Sequence, residues 1–332
     1  MENFSIQWHI TDVCNLRCKH CYQDNYSAMK DLDTDKIKLI IDKISSELSS
    51  SKISINLTGG EPFLRKDLFD ILNYLDRTSN IEDIYIITNG LLINDENAGQ
   101  IEQIKKIKGV KISLEGSNEA INDSVRGIGT FRKINQAIRI LMSTSKPVIL
   151  MFTLADYNCL DLTCMFEYAK SMGIHAVILE RFVPEGQSRS LIKCVLSREE
   201  WFKVIRDLIN YFDLGLSPQD FLAYRAFWVD FGNNIEIRGA LCDHGENSMA
   251  LMPNGDIYPC RRTPVKIGNI FSDKINDIID QLKKMRRDYQ LKLKGMCRSC
   301  EVDECIGCRA LARAICNDIY AEDPQCYYNL SQ

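Results

Sequence analysis

Six short apolar runs alternate with stretches whose apolar residues recur at helical spacing. The runs are Phe4 to Ile10, Ile53 to Thr58, Ile84 to Thr88, Val110 to Glu115, Val148 to Leu154 and Ala176 to Glu180. Between them, Ile37, Ile40, Ile41, Ile44 and Leu48 follow Asp33 and Thr34, residue types that cap helix starts. Leu68, Ile71, Leu72 and Leu75 repeat the spacing, as do Ile101, Ile104 and Ile107, and then Ile134, Ala137, Ile138 and Leu141. Strands joined through helices pair in parallel, with right-handed crossovers. Six such units are too few for a closed eight-unit barrel. The expected class is therefore α/β, a partial, open (β/α)6 TIM-like barrel with its chemistry in the loops at the C-terminal strand ends.

Ser197 to about Phe231 reads as one or two bridging helices. After Gly239 the texture changes to short segments, turn signals such as Pro253-Asn254-Gly255 and Pro264, and dense cysteine. These features set a boundary near residue 235. A barrel domain over 1–235, with the bridging helices in 197–231, precedes a small cysteine-rich domain over 236–332. The 332 residues suffice for both. The 41 Lys and Arg are interspersed with 45 Asp and Glu, for a net charge of −4, and no basic stripe is available for a phosphate backbone. Nucleic acid is not an expected partner. The longest apolar run, near Pro147 to Ala155, is about half of the roughly 20 residues a membrane span requires. No secretory leader is visible, so the expected location is cytoplasmic.

In that compartment thiols stay reduced, and the 14 cysteines read as metal ligands rather than disulfides. Thr11 to Tyr22 reads TDVCNLRCKHCY and puts Cys14, Cys18 and Cys21 on one loop just after the first strand. Three thiolates there can hold three irons of a cubane cluster and leave the fourth open to small-molecule chemistry. A zinc knuckle completed by His20 is the alternative. Thr58-Gly59-Gly60-Glu61-Pro62, Thr88-Asn89-Gly90 and Ser113-Leu114-Glu115-Gly116 end the next three strands, with small or polar groups where a ligand can approach. After residue 240 come Cys242, Gly255-x4-Cys260, Cys297-x2-Cys300-x4-Cys305-x2-Cys308, Cys316 and Cys326. Two C-x2-C pairs four residues apart suit a zinc ribbon poorly, because its pairs stand further apart. Cys159, Cys164 and Cys194 fit no motif and read as small buried hydrophobes. His9, His175 and His244 form no metal-spaced set, and His244 reads as a solvated loop histidine.

On these motifs, residues 5 to about 235 resemble the radical S-adenosylmethionine (radical SAM) superfamily. The resemblance implies a 4Fe-4S cluster on Cys14, Cys18 and Cys21 whose open iron is chelated by SAM. One electron then cleaves SAM to methionine and a 5'-deoxyadenosyl radical that abstracts a substrate hydrogen. It further implies that Gly59, Gly60 and Glu61 hold the methionyl amino group, and that Thr88, Asn89, Ser113 and Glu115 contact the ribose and the methionyl part. Arg126, in the run Asn122 to Gly127, would pair with the SAM carboxylate, and His20 would lie beside the adenine. Glu115 stands where aspartate is more usual. The other reading of Arg126 is a surface salt bridge.

Cys305-Ile306-Gly307-Cys308-Arg309-Ala310 and Ala321-Glu322-Asp323-Pro324-Gln325-Cys326 resemble the SPASM domain, which carries two auxiliary iron-sulfur clusters. The resemblance implies auxiliary cluster I on Cys242, Cys260 and Cys308, and auxiliary cluster II on Cys297, Cys300, Cys305 and Cys326. With the SAM-binding cluster this makes three 4Fe-4S clusters. The central spacing is one residue tighter in two gaps than the common C-x2-C-x5-C-x3-C, which leaves an exchange of ligands between the clusters open. Asn234 to Leu241 offers no upstream thiol, so cluster I has three protein ligands, with Cys316 or Glu236 as groups able to close it.

The resemblance implies an oxidoreductase that modifies a ribosomally made precursor peptide, joining a carbon to a cysteine sulfur as a thioether. It implies a flavodoxin or ferredoxin as electron donor. Because the chain begins at the first barrel strand, leader recognition is expected from a separate small protein or from the core itself. Haem or pyrroloquinoline quinone-type cofactor biosynthesis is the alternative. Sulfatase maturation ranks lower, since that activity relies on an aspartate after the cysteine matching Cys260, and here Arg261 follows it.

Overall fold

The computed structural model describes residues 3–232 and 235–330. Strands β1 (Asn3–His9), β2 (Lys52–Thr58), β3 (Ile81–Thr88), β4 (Ile107–Ser113), β5 (Val148–Leu154) and β6 (Ala176–Arg181) lie side by side in chain order. All five pairings among them are parallel. Helices α1 (Thr34–Glu47), α2 (Leu68–Arg77), α3 (Asp95–Gln103), α4 (Glu119–Arg126), α5 (Thr130–Leu141) and α6 (Leu162–Ser171) fill the connections. The α1 helix starts where the Asp33 carboxylate accepts the Lys36 N–H, satisfying one of the free donors of its first turn. Its Ile37, Ile40, Ile41 and Ile44 are buried in one core with Ile6, Trp8, Ile55 and Leu57 of the sheet.

The helical run through Ile107 is shorter than its periodicity implies. The α3 helix stops at Gln103, and Ile107 opens β4 opposite Ile84, because sheet register claims that residue. The stretch 197–231 is likewise corrected. It forms one helix, α7 (Arg198–Phe212), capped by reciprocal Ser197–Glu200 bonds, and then the strand β7 (Ala226–Asp230). Buried Phe227 and Val229 alternate there with half-exposed Trp228, the two-residue period of a strand.

Strand β7 runs antiparallel to β6, and β8 (Glu236–Ala240) antiparallel to β7, so the sheet passes through residue 235. At the opposite edge β9 (Ser248–Leu251) pairs in parallel with β1, followed by β10 (Asp256–Tyr258) and β11 (Gly268–Asn269). The order β11-β10-β9-β1-β2-β3-β4-β5-β6-β7-β8 describes an open, partial barrel. Helices α8 (Ile275–Lys292) and α9 (Arg309–Cys316) complete the cysteine-rich part. No helix among the described residues is long and apolar enough to cross a membrane.

Candidate functional site

The loop carrying Cys14, Cys18 and Cys21 folds back over the end of β2. Gly60 N–H donates to the Thr11 carbonyl at 2.8 Å, and Glu61 N–H to that of Val13 at 2.7 Å. A side chain on Gly60 would put Cβ 2.2 Å from the Val13 oxygen, and one on Gly59 would come within 2.5 Å of the Thr11 oxygen. The two glycines are thus required by the approach of the cysteine loop itself. The other side of the loop is fixed by Gln187 Nε2 to the Cys18 carbonyl at 3.1 Å and Ser188 N–H to that of Cys21, also at 3.1 Å.

An open cavity lies at the C-terminal strand ends. Cys14, Cys18, Cys21, His20, Gly59, Gly60, Thr88, Asn89, Ser113, Glu115 and Arg126 all line it. Donors face each thiol: Leu16 N–H and Cys14 Sγ are 3.4 Å apart, Gln23 N–H and Cys21 Sγ 3.4 Å, and Arg126 Nη1 and Cys18 Sγ 3.8 Å. Burial meanwhile pushes the Cys14 thiol up and that of Cys18 to about 11, against the opposing pull of Arg126 on Cys18. Such thiols ionise only when a metal replaces the proton. Among the described residues no three His, Cys, Asp or Glu side chains converge as a single ion requires. Thiols arranged around one cavity suit a multi-iron cluster, in which each holds its own iron.

Glu115 and Arg126 form a buried pair, Arg126 Nη2 donating to Glu115 Oε1 at 2.8 Å. The surface salt bridge considered for Arg126 is therefore set aside: only 7% of the residue is exposed. His20 Nε2 stands 3.3 Å from the same carboxylate oxygen, and Thr153 N–H donates to Oε2 at 2.9 Å. Burial depresses the His20 pKa to about 4, with Glu115 opposing, which keeps the ring neutral. His20 Nδ1 and Arg126 Nε have no hydrogen-bond partner among the described residues. A polar ligand in the cavity would satisfy both, which fits SAM.

Glu61, at the end of the same glycine pair, is fully buried beside the cavity, with its carboxylate held by the neighbouring strand. Thr88 Oγ1 and Asn89 N–H both donate to it at 2.8 Å, and Phe63 N–H at 3.1 Å. Desolvation raises its pKa to about 6 even so. Glu61 ties the end of β2 to the end of β3.

The sequence did not single out the far wall of the cavity, formed by Tyr22, Met151, Glu180, Arg181, Phe182, Val183 and Arg262. Arg262 Nη2 donates to Glu180 Oε2 at 2.6 Å. Lys111 was also missed. Its ammonium donates to Asn56 Oδ1 at 2.6 Å and lies 4.3 Å from the Tyr85 ring centre and 5.4 Å from that of Trp228. In a strand where Lys108 is exposed, nothing in the sequence marks Lys111 as the buried lysine.

Cys297, Cys300, Cys305 and Cys326 line a second cavity of about 370 Å³. Cys308 is absent from that lining and instead bears electrostatically on Cys242 and Cys260. Arg225 Nη2 donates to Cys305 Sγ at 2.8 Å and Asp323 N–H to Cys297 Sγ at 3.4 Å. Buried Asp323 accepts from Arg181 Nη1 at 2.9 Å and from the Cys308 N–H at 2.8 Å, and lies 3.6 Å from Arg225. Burial alone would raise its pKa, but the two guanidiniums and the N–H donors overcome that and hold it near 2.

Several thiol and histidine readings are also corrected. Cys164 is exposed and Cys159 and Cys194 are only half-buried, since their sites lie at the periphery of the helical layer. His244 is not solvated but 97% buried, enclosed with Tyr289. Of the residues 234–241, Asn234 lies outside the described ones.

A profile of the radical SAM superfamily matches residues 8–158, and one of the SPASM iron-sulfur cluster-binding domain matches residues 242–301. The AdoMet-dependent heme synthase of Methanosarcina barkeri is 28% identical over 97% of this chain and 96% of that protein. The mycofactocin maturase MftC of Mycolicibacterium smegmatis is 27% identical over 97% of this chain and 82% of that one. The crystal structure of Streptococcus suis SuiB bound to its precursor peptide SuiA superposes with a TM-score of 0.71 at 16% identity, covering 98% of this chain and 76% of SuiB. Its fold is shared, and with it the partial barrel and the cysteine-rich C-terminal part. The chain carries a radical SAM domain over residues 8–158 and a SPASM iron-sulfur domain over residues 242–301, the domains of an enzyme that works with SAM and 4Fe-4S clusters.

Proposed function

We propose that this enzyme matures a ribosomally made precursor peptide by joining a substrate carbon to a cysteine sulfur. The observation that carries the reading is the continuity of one cavity from Cys14, Cys18 and Cys21 to Arg262, two residues beyond Cys260. A peptide residue held there meets the radical source on one side and the auxiliary-cluster segment on the other. When bound, SAM and its cluster supply the 5'-deoxyadenosyl radical that removes a hydrogen atom, and the auxiliary clusters supply a sink for the electron released as the carbon closes onto a thiolate.

The chain's own residues position and shield. Phe182, Val183 and Met151 give the substrate side of the cavity an apolar wall that keeps water from a carbon radical. The Glu180–Arg262 pair fixes the opening between β6 and the cysteine-rich part. Three thiols on cluster I, with Cys316 exposed and Glu236 engaged by Arg238 at 3.9 Å, suit sulfur chemistry. A flavodoxin or ferredoxin donor, a separate leader-recognition protein and a cytoplasmic setting belong to the same reading. MftC and SuiB, both named for peptide maturation or a precursor peptide, support it.

A second reading is tetrapyrrole oxidation, favoured by the full-length similarity to a haem synthase and by Lys111. That ammonium is bonded to Asn56 and sits on β4 one side-chain step below Ser113 of the cavity, where a substrate carboxylate would pair with it. The two are separated by incubating the anaerobically reconstituted enzyme, SAM and dithionite with a cysteine-bearing peptide encoded beside its gene, or with coproporphyrin III. The expected product is a peptide lighter by two hydrogen atoms whose cysteine resists alkylation. 5'-Deoxyadenosine formed with the tetrapyrrole and not with the peptide would overturn the first reading.

A further inference from the structure

His244 is a buried imidazole with 3% of its surface exposed, and neither ring nitrogen has a hydrogen-bond partner among the described residues. It follows Cys242 by two residues, and its backbone N–H lies against the Cys242 thiol. The ring packs on Tyr289 at 5.2 Å between centres. Tyr289 in turn feels the charges of Cys242 and Cys260, which places its ring beside that thiol group. The Tyr289 hydroxyl is likewise buried without a hydrogen-bond partner among the described residues, as is Nη2 of Arg309, the residue after Cys308. An unsatisfied imidazole and an unsatisfied hydroxyl thus stand close to Cys242, where buried polar groups are ordinarily paired.

A cluster seated on Cys242, Cys260 and Cys308 explains all of them together. With such a cluster bound, Tyr289 and Arg309 would have acceptors for their hydrogens, and His244 would offer the open iron an imidazole nitrogen. Neither group considered from the sequence serves that iron. Cys316 is exposed at the end of α9 with Glu322 and Asp318 as its charged neighbours, and Glu236 is exposed on β8.

We propose that His244 is the fourth protein ligand of auxiliary cluster I in the substrate-free enzyme, giving a three-cysteine, one-histidine site. The inference does not depend on which substrate is correct. If a peptide thiolate binds that iron, it does so by displacing the imidazole. Histidine in place of a thiolate also raises a cluster's reduction potential.

The test is pulsed EPR on the full chain, anaerobically reconstituted and reduced, prepared with natural-abundance or 15N-labelled histidine. The expected result is a hyperfine coupling of the size given by a directly bound imidazole. It changes with the isotope and vanishes in both His244→Ala and His244→Cys. His244→Cys keeps the wild-type iron content and lowers the midpoint potential of one auxiliary cluster. A spectrum with no histidine coupling, or with only the weak coupling of an N–H donating to sulfide, overturns the proposal. So does a coupling that survives replacement of His244, which His20 beside the first cluster would then explain. Should His244→Ala fail to fold, His244→Cys alone carries the comparison.

Discussion

At the scale of single residues, Lys111 is the side chain whose placement costs the fold most visibly. Desolvation lowers its pKa to about 8, with Glu180 partly opposing, so the unfolded chain holds this proton more tightly than the native state. The native state therefore carries the full cost below about pH 8 and regains stability as pH rises towards the ordinary lysine value, a difference of roughly 3 kcal/mol. Lys111→Met should accordingly be more stable than the parent at pH 7, by an amount that shrinks between pH 8 and pH 10. Urea midpoints measured across that range decide it; an advantage that does not change with pH would mean the ammonium is solvated. The cysteines announced themselves by spacing, because cluster ligation needs several thiols within a few residues of each other. Lys111, Arg225 and Asp323 could not be assigned so. Asp323 stood inside a recognised motif, yet its pairing with Arg181 and Arg225 joins residues about 100 and 140 positions apart.

At the scale of elements, the six parallel strands and the Asp33 cap were legible because each depends on its own residues: apolar period and a polar side chain beside a free N–H. Register and edge pairing were not. Ile107 looks like the next turn of α3 until β3 is placed beside it, and β7 was hidden behind the helical start of its segment. The hydrogen bonds of Glu61 were hidden for a similar reason, since its partners Thr88 and Asn89 arrive with the following strand. The contact between the β2 end and the cysteine loop gives a sharp expectation. Gly60→Ala forces Cβ onto the Val13 carbonyl, and a fixed backbone atom cannot yield as a flexible side chain would. The loop must lift, so the variant should lose iron equivalent to about one cluster while keeping the others, as read by iron analysis after anaerobic reconstitution. Wild-type iron content in that variant would show that the loop tolerates displacement.

For the whole molecule, the 1–235 barrel and the cysteine-rich part share one sheet. Strand β9 pairs with β1, and β8 pairs with β7, so both edges of the barrel are covered by strands from the C-terminal part of the chain. A fragment ending at residue 235 should therefore expose β1 as an unprotected edge and aggregate, in contrast to the full chain at the same concentration by light scattering. A monomeric fragment with a cooperative melt would show the barrel to be self-sufficient. The same pairing has a consequence in time. Ser5 must wait for Ser248, about 240 residues later in the chain, and at roughly 5–20 residues per second of synthesis that delay is on the order of 10 to 50 seconds. The cysteine loop directly after β1 therefore emerges well ahead of the strand that pairs beside it. Its thiols thus face the cell's oxidants and its iron donors throughout that interval, before any active site exists to protect them.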